Sequence, residues 1–172
     1  SEFDSHPRDS RIKTMDSVCI DRGTITDGKK TALFLGLSQD PLNAIRVVEQ
    51  IKPDSLYLFY SDPASDKRYI EKVFINNHPL IDSISIRNLI AYPGNNGQQI
   101  YQLLSDLALM LRLDHRLIAV PNGPKIFGLV TMALQMSYPD IQICNPDIRY
   151  KKLTDKKACG VPVALDLVFE SE

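Results

Sequence analysis

Short apolar runs alternate with helical patterns over most of this chain. The run Thr31–Leu37 is almost continuously apolar, which is typical of a strand buried on both faces of a sheet. In the next segment, Pro41–Ile51, apolar residues recur at a helical spacing. The same plan then repeats, and the remaining predicted elements are strand Ser55–Tyr60, helix Lys67–Ile75, strand Ile84–Ala91, helix Gln98–Leu113, strand Arg116–Val120, helix Lys125–Ser137 and strand Ile141–Cys144.

This alternation predicts an α/β fold, a Rossmann-like three-layer sandwich. We expect a mostly parallel sheet of five to six strands with helices on both faces, and the pattern leaves the strand order open. Ligands of such sheets bind at the carboxyl ends of the strands. The helix Lys125–Ser137 has almost no charge after its first residue, so we expect it to be covered on several sides. Two weaker patterns, Val18–Ile20 and Val161–Phe169, indicate further short strands.

The N-terminal part of the chain differs from the rest in being polar, charged and without periodicity. We interpret residues 1–30 as a linker or cloning-derived segment, followed by a Rossmann-like ligand-binding domain at residues 31–172. The start, Ser1–Phe3, has neither a methionine nor a signal-peptide core, so we expect the chain to be one domain of a longer protein. With no run of 18 apolar residues, the sequence predicts no membrane span.

Composition narrows the possible partners. The formal net charge of −1 argues against an extended nucleic-acid surface on this domain. The cysteines Cys19, Cys144 and Cys159 form no CxxC pair and the three histidines are scattered, so we expect no metal site and free thiols in a reducing cytoplasm. The chain has neither a GxGxxG nor a GxxxxGK[ST] motif, and we expect no cofactor.

The turn after the first predicted strand has features of an anion site. Gly36 permits a close backbone approach, and Leu37, Ser38 and Gln39 follow it as candidate ligand contacts before the next helix. The Ser38 hydroxyl can donate to a phosphate oxygen, and the helix N-terminus adds N–H groups and a positive dipole end. The alternative is that Ser38 and Asp40 only cap that helix.

The turn after the fourth predicted strand, Asn122-Gly123-Pro124-Lys125, carries a related signal. A lysine in the first turn of a helix faces the positive dipole end, which costs about 0.3–1 kcal/mol. An anionic ligand bound at this helix end would make the position of the lysine favourable, because the ligand would attract both the lysine and the positive dipole end. The alternative is an ordinary solvent-facing lysine beside a plain Gly-Pro turn.

Two further strand ends offer candidate ligand contacts. Tyr60 and Ser61 follow the second strand, and Tyr92, Asn95 and Asn96 follow the third. The tyrosines suit base stacking and the amides suit reading a base or sugar edge. The alternatives are half-buried packing for the tyrosines and an ordinary loop for the amides.

The paired turns resemble those of the CRISPR-associated Rossmann-fold (CARF) domains, over roughly residues 31–150. Ser38 matches the small polar residue after the first strand of that family, and Gly123 and Lys125 match the glycine and the basic residue after the fourth. Family members usually carry a small hydroxyl or amide residue between the two, where this chain has Pro124, which lacks a backbone donor. The resemblance implies a homodimer that senses a cyclic oligoadenylate in a two-fold pocket and controls an effector domain, often a nuclease, in antiviral defence.

The leading hypothesis is therefore a sensor domain for a cyclic oligonucleotide or another phosphate-bearing small ligand. A second is a slow, metal-independent enzyme that cleaves this ligand, in which Lys125 stabilises charge and Ser38 positions the phosphate. A third is an α/β domain for a sugar phosphate or nucleotide metabolite. The fourth is an interaction domain with the apolar helix Phe127–Met136 at a protein contact.

Overall fold

A computed structural model describes residues 28–62 and 67–144 of the chain. It confirms the α/β class, because the sheet has five strands and every pairing is parallel. The predicted strands at Val18–Ile20 and Val161–Phe169, and most of the predicted linker, lie outside the described residues. The strands are β1 (Lys30–Gly36), β2 (Ser55–Ser61), β3 (Leu89–Tyr92), β4 (His115–Val120) and β5 (Gln142–Ile143).

Four helices cover the two faces of the sheet: α1 (Leu42–Ile51), α2 (Lys67–Ile81), α3 (Gly97–Leu111) and α4 (Lys125–Ser137). Successive side chains of β1 point to opposite faces, which divides the core in two. Leu33 and Leu35 belong to a cluster that includes residues of α1 and α2. Ala32 and Phe34 belong to a second cluster with residues of α3 and α4. The structure thus has the three layers expected from the sequence.

The strand order is β3-β2-β1-β4-β5, so the order reverses between β1 and β4. β1 is central and pairs with both β2 and β4, with Leu35 opposite Val120 near the carboxyl ends. The chain leaves β1 on one side of this point and leaves β4 on the other. In open parallel sheets a cleft forms where neighbouring connections diverge in this way.

Helix α2 continues past Ile75, where the sequence predicted its end, and reaches Ile81 although Pro79 lies inside it. Pro79 has no N–H to donate to the carbonyl group of Ile75. The Nδ1 of His78 lies 3.0 Å from that carbonyl oxygen and takes over as donor. The six additional residues bring Asn76 and Asn77 into the helix.

The third strand is shorter than the predicted Ile84–Ala91. A 3₁₀ turn occupies Ile86–Asn88, and Ser85 caps it by accepting a hydrogen bond from the Arg87 N–H at 3.4 Å. The Asn88 amide donates to the Leu56 carbonyl at 3.1 Å. Side-chain bonds therefore replace strand pairing here, and β3 begins only at Leu89.

Helix α4 has the predicted bounds but is not covered on all sides. Leu129, Met132 and Met136 expose 44%, 49% and 63% of their surface. The opposite face packs on the sheet, and the neighbouring α3 is joined to α4 by a 2.7 Å hydrogen bond from the Tyr101 hydroxyl to Ser137 Oγ. An outer-layer helix has one free face, and here that face is apolar.

Candidate functional site

The loops after β1 and β4 touch backbone to backbone at the carboxyl edge of the sheet. A Cβ atom added to Gly36 would overlap the carbonyl oxygen of Asn122 and lie 2.9 Å from the ring of Phe127. Gly123 has φ +139°, a conformation that only glycine adopts readily, and an added Cβ would lie 2.9 Å from the Leu37 carbonyl oxygen. The two glycines that the sequence placed in separate turns are thus needed for one contact.

An open cleft of about 600 Å³ lies beside this contact. It is lined by residues of the β1–α1 connection, of the β4–α4 connection and of the first turn of α2, namely Ser38, Gln39, Asp40, Pro41, Tyr69, Gly123 and Pro124. Four of them, Ser38, Gln39, Gly123 and Pro124, were predicted from the sequence. The cleft and the β1–α1 and β4–α4 loops lie where the strand order reverses. Open α/β sheets bind their ligands at this position.

Ser38 and Asp40 are engaged with their own loop. The Ser38 hydroxyl donates to the Asp40 carbonyl oxygen at 2.9 Å, so its single proton is in use. The Asp40 carboxylate accepts from the Leu42 N–H at 3.1 Å, at the start of α1. The N-terminus of α1 therefore already holds a negative charge, and the capping alternative describes Asp40 correctly.

The N-terminus of α4 differs from that of α1. No side chain caps it, and its first turn has no acidic residue. Lys125 is exposed and forms no salt bridge with another residue in 28–62 or 67–144. Pro124 lines the cleft, and Lys125 is the next residue along the chain. A positive dipole end and an ammonium group together favour an anion here rather than at α1.

Two asparagines of α2 hold the β1–α1 loop, and sequence reasoning missed both. The Asn77 amide nitrogen donates to the carbonyls of Ser38 and Val73, each at 2.8 Å. The Asn76 amide donates to the Gln39 carbonyl at 2.6 Å. Asn77 is fully buried, and its Oδ1 has no partner among the described residues. These hydrogen bonds hold the β1–α1 loop, which forms one wall of the cleft, in place.

The two tyrosines predicted to stack a base are used in packing. Tyr92 is 1% exposed and its ring stacks on Phe127 at 5.2 Å, so a ligand base has no access to it. Burial, with a smaller effect from the nearby Tyr69, raises the pKa of the Tyr92 phenol. Its hydroxyl has no partner in the described structure. Tyr60 is partly buried and meets the ring of Phe74 edge-on at 4.9 Å.

The remaining predicted contacts lie outside the cleft lining. Ser61 is buried at the end of β2, and Gly94 leaves room for its hydroxyl, since an added Cβ would lie 2.5 Å from it. Asn96 caps α3, accepting from the Gln99 N–H at 3.0 Å. Asn95 is exposed in the same loop. The amide-rich segment therefore starts a helix, which is its ordinary use.

Tyr69 is the aromatic residue that does line the cleft. It is partly buried and packs against the core cluster that includes residues of α1 and α2. Burial raises the pKa of its phenol, so the hydroxyl stays neutral. The ring reaches the cleft only because α2 packs beside the β1–α1 loop. The sequence around Tyr69 does not indicate this position.

Asn122 takes part in the site through its backbone. Its N–H donates to the Val120 carbonyl at 2.8 Å, which makes the tight turn that ends β4. Its carbonyl oxygen contacts Gly36. The side-chain Nδ2 is buried without a partner in the described part of the chain.

Comparison of the chain with protein-family models finds no match, and comparison with curated protein sequences finds none either. Within residues 28–62 and 67–144, every helix is too short or too polar to cross a bilayer. The same residues contain no group of three histidine, cysteine or acidic side chains that could hold a metal ion.

Proposed function

We propose that this chain is a ligand-binding domain for a phosphate-bearing nucleotide of the cyclic-oligonucleotide kind. The observation that supports it most is the direct contact of the β1 and β4 loops at Gly36 and Gly123. This contact sets Ser38 and the uncapped start of α4 at one cleft, at the reversal of strand order. The bound state would control an effector domain elsewhere in the protein.

The charges decide where the phosphate lies in this proposal. Asp40 occupies the start of α1 and would repel a second anion there. At α4, backbone N–H groups that no side chain caps, the helix dipole and the Lys125 ammonium all act in the same direction. The phosphate therefore binds at the first turn of α4, and the Ser38 side of the cleft contacts the rest of the ligand.

We propose in addition that the domain forms a homodimer. Lys125, Leu129, Met132 and Met136 lie at positions that share one face of α4. The three apolar members of this stripe are exposed, and a second copy would remove them from water. Isologous packing would provide two copies of Lys125 in one assembly, which matches a ligand with two-fold symmetry.

Titration calorimetry with cyclic di-, tri-, tetra- and hexa-adenylate tests the binding proposal. A charge-assisted hydrogen bond is worth about 1.5–3 kcal/mol, so Lys125→Ala should weaken binding roughly 10- to 100-fold. Lys30→Ala is the matched control, since it removes the same charge from the amino end of β1, at the opposite edge of the sheet. Light scattering on the same samples reports the oligomeric state.

The absence of heat with every cyclic nucleotide would refute the proposal. So would equal losses in Lys125→Ala and Lys30→Ala, because the effect would then be general charge and not a site. Product analysis after long incubation with cyclic tetra-adenylate separates a sensor from an enzyme that cleaves its ligand.

A further inference from the structure

Much of the cleft lining does not favour a phosphate. Asp40 is negative and repels an anion, and Tyr69 adds a large aromatic ring that carries a single phenolic donor. Pro41 and Pro124 add two more apolar surfaces to the lining. A cleft built to enclose phosphate would carry donors at these positions.

The same side chains suit the neutral part of a nucleotide. A base stacks on an aromatic ring through its π-face, whatever its identity. The Asp40 carboxylate accepts one hydrogen bond from the Leu42 N–H. It has further lone pairs that can accept from another donor, such as an amino group or a sugar hydroxyl. Tyr69 packs against the core through part of its ring, which limits its rotamers and so lowers the entropy lost on stacking.

We propose that the cleft holds the nucleobase, with Tyr69 as the stacking surface and Asp40 as the hydrogen-bond acceptor, while the phosphate lies outside it at the first turn of α4. The inference rests on the proposed function and adds to it the residues that determine specificity. Tyr60 and Tyr92 take no part, because neither residue lines the cleft.

The test uses three probes that differ by one group each: adenosine 5′-monophosphate (AMP), ribose 5-phosphate and inorganic phosphate. Binding is followed by amide chemical shifts of the full chain, which report millimolar affinities. The unchanged protein should bind AMP about tenfold or more tightly than ribose 5-phosphate, as expected for one base–aromatic stack. In Tyr69→Leu the AMP affinity should fall most of the way to that for ribose 5-phosphate, which itself should not change.

Two variants serve as matched controls. Tyr69→Phe keeps the ring and should bind AMP within about twofold of the unchanged protein. Asp40→Asn keeps a capping oxygen for Leu42 but removes the charge. It should bind inorganic phosphate at least as well as before and should lose part of the preference for AMP. Saturation transfer to the base protons H2 and H8 in the unchanged protein gives a readout that needs no variant.

The outcomes separate this inference from the function on which it rests. Equal affinities for AMP and ribose 5-phosphate, both reduced by Lys125→Ala, would overturn the base site and leave the phosphate site standing. A base preference that is as large in Tyr69→Leu as in the unchanged protein, or no binding of AMP, would also overturn it. If neither these probes nor the cyclic adenylates bind, the proposed function fails together with the inference.

Discussion

The contact between the two loops makes Gly36→Ala the most informative single substitution. The added methyl group would overlap the Asn122 carbonyl oxygen and lie 2.9 Å from two ring carbons of Phe127. Neither the Asn122 carbonyl group nor the Phe127 ring can move away easily. The Phe127 ring is fully buried and stacked on Tyr92, and the Asn122 carbonyl belongs to the tight turn that ends β4.

The size of the effect follows from this crowding. Overpacking a rigid interior by one methyl group costs about 1–3 kcal/mol, and two fixed neighbours place Gly36→Ala near the upper end. For a chain of this length, about 3 kcal/mol lowers Tm by about 6–12 °C. The loops must also move apart, so binding at the cleft should weaken as well.

Urea unfolding and calorimetry measure the change, with Gly128→Ala as the matched control. A Cβ atom at Gly128 would lie 3.5 Å from the Pro121 Cβ, which is ordinary contact, and alanine is favoured in the interior of α4. This control should gain about 0.5–1 kcal/mol in the free energy of unfolding. If Gly36→Ala were as stable as the parent while Gly128→Ala behaved as expected, the close approach of the two loops would be wrong.

Two further predictions concern buried polar groups. Asn77→Ala should lower the free energy of unfolding by about 2–3 kcal/mol, because it removes two hydrogen bonds made by a fully buried side chain. The exposed Asn76→Ala should cost less than about 1 kcal/mol, and equal losses in urea unfolding would contradict this account. Tyr92→Phe should leave stability at pH 7 unchanged or slightly higher, since it removes a hydroxyl without a partner in the described structure. Because burial raises the pKa of Tyr92, the stability of the parent should decline above about pH 10, where an unfolded tyrosine loses its proton. Tyr92→Phe should lack part of that decline. If the free energy of unfolding fell equally with pH in the parent and in Tyr92→Phe, the burial of the phenol would be wrong.

The role of α2 shows how the site depends on more than its own loops. The β1–α1 loop is tied to α2 through Asn76 and Asn77, and the cleft takes its aromatic wall from Tyr69 of the same helix. A shift of α2 would therefore move both the backbone of the loop and the ring beside it. Hydrogen exchange at the Ser38 and Gln39 amides of Asn77→Ala gives a direct measure of this tie.

Local sequence determined the elements and their order in this protein. Buried strands have near-continuous apolar runs, and outer helices have apolar stripes, so Thr31–Leu37 and Lys125–Ser137 were recognisable from their own residues. The glycines and the lysine of the two turns were visible for the same reason. The turn conformation of these glycines and the helix position of this lysine depend on adjacent residues, and these can be read from the sequence.

Only the tertiary structure decided which loops meet and what lines the space between them. Strand order places β1 beside β4, although three α-helices and two strands separate them along the chain. The packing of α2 then brings Tyr69 to the cleft, and the burial of Tyr92 removes it. Such contacts arise between residues far apart in sequence, and their energies depend on burial and distance that no local pattern of residues encodes.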